Sequence, residues 1–170
     1  INLSLPGLID RLLGPVPAVG SNLVVTVVEL PDSVRRILRN VLAVVTLLAL
    51  AALCRRRVKP AEEPLTFSAE MSMVAVMMVL FSGITWTAHL VVLLLPFTVL
   101  LAYLADARYT KARRAVHVLT WLAAVLCLLT TDILGPTIAD YVQACGVLTL
   151  GVVAAGAGTA VIRFQQGNAH

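Results

Sequence analysis

The apolar residues of this chain gather into four runs, over about residues 37–54, 67–105, 116–131 and 141–162, in which Arg39 and Glu70 are the only charged side chains. Within the runs they do not alternate with polar residues at a period of two. The pattern therefore predicts helices and not the strands of a membrane barrel. The second run is too long for one span: as a straight helix it would reach about 58 Å, against a hydrocarbon core about 30 Å thick. It divides into two spans that turn at Ser82-Gly83-Ile84-Thr85. Five transmembrane helices follow, at about 37–54, 67–84, 86–105, 116–131 and 141–162.

Residues 1–33 have a different character and are expected to form an external loop with a short helix. Ser4 is placed to cap that helix, with Pro6 in its first turn. Leu5, Leu8, Ile9, Leu12 and Leu13 share one face, and Asp10 and Arg11 are expected to face away. Gly14–Pro15 ends the helix, which at about nine residues is too short to cross a bilayer but suits the interface. Residues 15–31 hold three of the eight prolines and a short Val-rich run. They read as an ordered loop with room for a brief strand. Asp32–Ser33 is the expected cap of the first span.

Charge sets the direction of the spans. Arg55, Arg56, Arg57 and Lys59 close the first run, and Arg108, Lys111, Arg113 and Arg114 separate the third span from the fourth. With these clusters and Arg163 inside, the inner side holds nine basic and four acidic residues, the outer side four basic and five acidic. All five spans then alternate consistently with the positive-inside rule, and residues 60–66 form a cytoplasmic connection. Residues 1–33 and the turn after Ser82 face outside. The domain division is thus an external loop over 1–33 and a transmembrane bundle over 34–170, the architecture of a multi-pass plasma-membrane protein.

Composition agrees. Charged residues make up 13% of the chain, against about 25% in soluble domains, and the mean hydropathy is +0.93. The net charge of +4 comes from clusters at the ends of apolar runs. There is no basic face interleaved with aromatics, which excludes nucleic acid as a partner and leaves membrane lipids. Cys54, Cys127 and Cys145 form no spacing pattern and read as small core residues. The chain starts at Ile1, directly within a motif and without a leader pattern, and is expected to be a piece of a longer protein. In the last run Gly151, Ala154, Ala155, Gly158 and Thr159 have the spacing that lets helices approach closely, with packing inside one bundle favoured over dimerisation.

His89 is the sharpest chemical candidate. An ionisable side chain inside a span is a functional hypothesis by default, and near the outer end it could bind a phosphate or move a proton. The residues alone leave an equal alternative, an interfacial anchor beside Trp86. His117, next to the inner basic cluster, reads as an anchor. Arg35, Arg36 and Arg39 stand outside against the charge trend, where they either attract a lipid phosphate or form a solvated face with Asp32 and Glu29. No metal-ligand cluster, glycine-rich phosphate loop or nucleophile triad is present.

Two stretches in order carry a resemblance: "NLSLPGLIDRLLG" at the start, then "SGITWTAH" followed by "LLP". They resemble glycosyltransferase family 87, GT-C type membrane enzymes of mycobacteria and relatives. Those enzymes include polyprenyl-phosphate-mannose-dependent mannosyltransferases and an arabinofuranosyltransferase. The family pattern is close to "NQSLxGLLxRLL" and "SPISWxHH". Asn2, Ser4, Leu5, Gly7, Leu8, Arg11 and Leu12 match the first; Ser82, Ile84, Trp86 and His89 match the second, with Thr85 in place of Ser, Gly83 in place of Pro and Ala88 in place of a histidine. The resemblance implies an all-α, GT-C-like partial bundle, the C-terminal portion of such an enzyme. It implies transfer of a sugar from a polyprenyl-phosphate donor to a lipid-linked glycan acceptor, with no cofactor or metal. His89 would be the catalytic group, and Asn2, Ser4, Arg11, Ser82, Thr85 and Trp86 would bind donor or substrate. The acting carboxylate would lie in a missing N-terminal half, so this chain alone is expected to be inactive. The competing reading is a non-catalytic module, a split subunit or truncated homologue that shapes a lipid site.

Overall fold

A computed structural model describes residues 2–17, 23–82, 91–110, 112–130 and 135–167. Among these residues there are seven helices and no strand: α1 (Leu5–Leu12), α2 (Asp32–Leu53), α3 (Pro64–Phe81), α4 (Leu94–Ala105), α5 (Arg113–Leu128), α6 (Pro136–Ala144) and α7 (Val147–Gly167). Three of them, α2, α3 and α7, are long and apolar enough to cross a membrane, the make-up of a helical membrane protein. The other two expected spans correspond to shorter helices, α4 of 12 residues and α5 of 16.

Several boundaries differ from the sequence expectation. The run over 141–162 is not one helix, because Gly146 turns the chain at φ +81°. The short α6 ends before it and α7 starts after it and continues to Gly167. Hydrophobicity alone is blind to this break, since Cys145 and Gly146 interrupt no apolar pattern. Pro31, not Asp32, precedes α2, and no side chain caps that helix. The Val-rich segment forms no strand among the described residues. Instead it folds back on α1, with the Val27 and Leu30 N–H groups donating to the Leu12 and Leu13 carbonyls at 2.8 and 3.0 Å.

α7 is the axis of the bundle and packs against α3, α4 and α5. Its small residues make this possible. A Cβ at Gly151 would come within 3.2 Å of Leu126 and one at Gly158 within 2.6 Å of Leu100. Ala154, Ala155 and Thr159 are buried beside them. Without a hydrophobic driving force between helices in lipid, such close packing is a main source of association. The small-residue stripe therefore works within the bundle, as the sequence indicated. α2 stands outside, with no buried residue, and it exposes Ile37, Val41, Val44, Val45, Leu47 and Leu48.

The basic end of the bundle is held by polar ties. Glu70 near the start of α3 and Arg163 near the end of α7 pair at 2.6 Å, both almost fully buried. Arg163 also reaches the Arg56 carbonyl at 3.4 Å, and Arg56 pairs with Glu63 at 2.6 Å. Tyr103 and Tyr109 stack with ring centroids 5.1 Å apart, and Arg113 donates to the Leu104 carbonyl, which fixes the α4–α5 turn. Charge counting put Glu70 and Arg163 on one side; the structure brings them into contact.

Removing one partner of a buried pair strands the other charge, a loss of about 3–5 kcal/mol. Glu70→Gln is therefore expected to destabilise the bundle strongly in detergent unfolding. The double change Glu70→Met with Arg163→Met should recover most of that loss. A double variant no more stable than Glu70→Gln would show that the pair contributes more than mutual neutralisation.

Candidate functional site

The candidate site is built on α1. Ser4 caps it as expected: its Oγ accepts the Gly7 N–H at 3.3 Å, and Asn2 Oδ1 accepts the Ser4 N–H at 3.1 Å. Gly7 is required by closeness, since a Cβ there would stand 2.9 Å from the Asn2 carbonyl oxygen. The matched positions Asn2, Ser4 and Gly7 thus form one compact turn. Ser4 is fully buried, and its hydroxyl oxygen accepts the cap bond.

Arg11 does not face away. It is 3% exposed, its Nε donates to the Ala144 carbonyl at 3.1 Å, and its Nη1 donates to the Asn2 carbonyl. The apolar face of α1 is not its only buried face: α1 is buried on two sides, and the α6–α7 corner offers the Ala144 carbonyl to a long cation. Burial lowers the pKa of Arg11 from its ordinary value, with Asp10 acting in the opposite direction. Arginine stays charged regardless. Beside it, Thr149 Oγ1 donates to the Leu3 carbonyl at 2.9 Å, and Leu8 fills the space that Gly146 leaves open.

Asp10, on the other side of α1, is held by α2. Arg35 reaches its Oδ1 at 3.3 Å and Arg39 reaches its Oδ2. Arg35 also pairs with Asp32 at 3.4 Å. These two arginines are therefore clamps on α1 and not a free solvated row. Their spacing of four residues on one helix face was the available signal; the partner ten residues into the chain was not. Arg36 is exposed.

The second motif is reached only at its first residue. Ser82 ends α3 in an extended conformation and is half-buried. Thr85, Trp86 and His89, with Gly83 and Ala88, lie outside the described residues. Leu5, next to Ser4, and Phe81, next to Ser82, pack against one cluster that contains Leu80, Leu93 and Val152. His117 is exposed on α5, its ring 6.3 Å from that of Trp121.

From Leu5 and Phe81 an apolar groove of about 370 Å³ runs between α2, α3 and α7. Thr46 is its one polar side chain, and that hydroxyl is spent on the Leu42 carbonyl at 2.6 Å. No sequence pattern marks this groove, because it depends on how α2 stands against α3 and α7. No group of His, Cys, Asp and Glu suited to a metal occurs among the described residues.

Arg11→Met keeps the volume and leaves two backbone carbonyls without their charged donor. Hydrogen bonds to charged groups are worth about 1.5–3 kcal/mol, so thermal unfolding should fall by that order. Limited proteolysis between α1 and α2 should also become faster. An unchanged stability would mean that the corner is held by Thr149 and Leu8 alone. Compared with family models, curated proteins and solved structures, the chain finds no match.

Proposed function

We propose that the chain is the C-terminal, five-pass part of a plasma-membrane glycosyltransferase that moves a sugar, mannose first among the candidates, from a polyprenyl-phosphate donor to a lipid-linked glycan. α2, α3, α4, α5 and α7 are the spans. α1, α6 and the turn after Ser82 stand on the outer side, and the end with Arg56, Glu70, Arg113 and Arg163 is cytoplasmic. The observation that carries the reading is that Leu5, in the first motif, and Phe81, directly before the second, pack against one cluster. A lipid-phosphate leaving group calls for a hydrogen-bonding or cationic group at the phosphate and a base for the acceptor hydroxyl. In this reading His89 serves at the phosphate or in proton movement.

The second reading, a non-catalytic module, is favoured by Asp10. Both of its oxygens are engaged by arginines of α2, which leaves it poorly suited to take a proton from an acceptor. The base then comes from an upstream half, and this chain alone should not turn over polyprenyl-phosphate sugars.

Two measurements test the proposal. In a background where the three native cysteines are replaced, Arg57→Cys should label from the cytoplasmic side and Leu134→Cys from the outside. Labelling of both from one side removes the five-pass arrangement. With the upstream half co-expressed, His89→Ala should lower turnover about ten- to a hundred-fold, the loss of one hydrogen bond to a charged group. His117→Ala at matched expression should stay near the wild-type rate. Equal, near-wild-type rates for both would reduce His89 to an anchor.

A further inference from the structure

Between α1 and α2 the chain turns Val24, Val27 and Val28 outward. Val27 is 74% exposed and the other two are more than half exposed. Val16, earlier in the same connection, is exposed as well. The polar groups that accompany these side chains are used inside the protein. The Val27 and Val28 N–H groups both donate to the Leu12 carbonyl, at 2.8 and 3.3 Å. The Val16 N–H and Thr26 Oγ1 each donate to the Gly14 carbonyl at 2.8 Å. The loop is thus tied to the end of α1 by its own hydrogen bonds, and it presents hydrocarbon to its surroundings.

We propose that Val24, Val27 and Val28 dip into the bilayer surface at the α1 end of the bundle, so that this loop lies among lipid headgroups and upper acyl chains. The proposal requires α2 to cross a bilayer. It requires neither the transferase reading nor a decision on which side is outside.

Depth along α2 places the loop at that surface. α2 ends at Leu53, and Arg55, Arg56 and Arg57 follow directly. About 20 helical residues cross a hydrocarbon core, and counted back from Leu53 they reach Val34. The level of Arg35 is therefore the far boundary of the hydrocarbon. α1 and the loop are fastened at this level. Arg35 pairs with Asp10 at 3.3 Å, and its guanidinium lies where a Cβ on Gly14 would fall. Gly14 in turn holds Thr26, and Leu12 holds Val27 and Val28. The valines are tethered where interfacial segments settle their apolar faces, about 5–10 Å into the headgroup and acyl boundary.

The chemistry of the loop suits lipid on one side and not water. Unsatisfied backbone groups are costly next to hydrocarbon, and the N–H groups of Val16, Val27 and Val28 are satisfied internally. Moving exposed valine side chains out of water is favourable in proportion to the apolar area removed. The apolar surface also resumes directly on α2, where Val34, Ile37 and Val41 are exposed. The exposed Glu29 sets the limit of insertion. Its carboxylate belongs in the headgroup layer, so the loop rests in the boundary and does not enter the core.

The test uses the full chain with its three cysteines replaced, reconstituted in phosphatidylcholine bilayers. A nitroxide is introduced in turn by Val24→Cys, Val27→Cys and Val28→Cys. Val45→Cys in the middle of α2 is the lipid reference, and Ala61→Cys in the exposed connection before α3 is the water reference. Power saturation reads collisions with oxygen, which concentrates in hydrocarbon, and with nickel ethylenediaminediacetate, which stays in water. The oxygen-to-nickel ratio at the three loop positions should lie severalfold above that of the Ala61 label and below that of the Val45 label, with circular dichroism unchanged. A ratio at Val27 equal to the Ala61 value would overturn the proposal and leave the crossing of α2 intact. A Val27 label shielded from both agents would also overturn it, and would assign the valines to a protein partner. A Val45 ratio no higher than that of Ala61 would remove the crossing of α2 and the proposal with it.

Discussion

A guanidinium buried in an apolar protein must find oxygen atoms, and Arg11 finds them at opposite ends of the sequence. It joins the Asn2 carbonyl to that of Ala144, 133 residues beyond it along the chain. The position of α1 follows from this tie, and several other features follow from the position of α1. The corner at Gly146 must leave room for Leu8, Thr149 must present its hydroxyl to Leu3, and Asp10 is turned toward α2. A helix of eight residues has almost no stability of its own. Here it is made definite by what it touches.

The parts of the fold legible in the sequence were those written in periodicity and in charge. The apolar runs foretold α2, α3, α4 and α5 to within several residues, and the small-residue stripe foretold the axial role of α7. Ser4 and Gly14 marked the ends of α1 correctly. What was not legible arose from contacts between segments far apart. Arg11 looked like a surface residue because its partners are backbone carbonyls, which have no sequence signature. Arg35 and Arg39 read as a lipid-phosphate site or a solvated face, and their pairing with Asp10 was hidden because Asp10 lies outside their helix. The turn at Gly146 was hidden because a glycine in an apolar run is equally compatible with helix packing, as Gly151 and Gly158 show. Of the candidate site, Ser4 was readable as a cap, but the closeness of Asn2 to Gly7 that makes one compact turn of the three was not.

The two ends of the bundle are polar in different ways. At the end near α1, Asp10 and Asp32 hold Arg35 and Arg39, and Arg36 stays exposed. At the other end Glu70 and Glu63 neutralise Arg163 and Arg56 in a buried or half-buried setting. The same residue types therefore fasten a surface helix at one end and seat a buried pair at the other.

α2 is fastened only at its extremities, by Asp10 at one end and by the Arg56 segment at the other, and nothing along its middle is buried. It behaves as a beam pinned at both ends. In water its bowing would expose hydrocarbon and be opposed. In lipid the surrounding tails are as apolar as the leucines they would replace, so a sideways displacement of the mid-section exchanges one greasy neighbour for another at little cost.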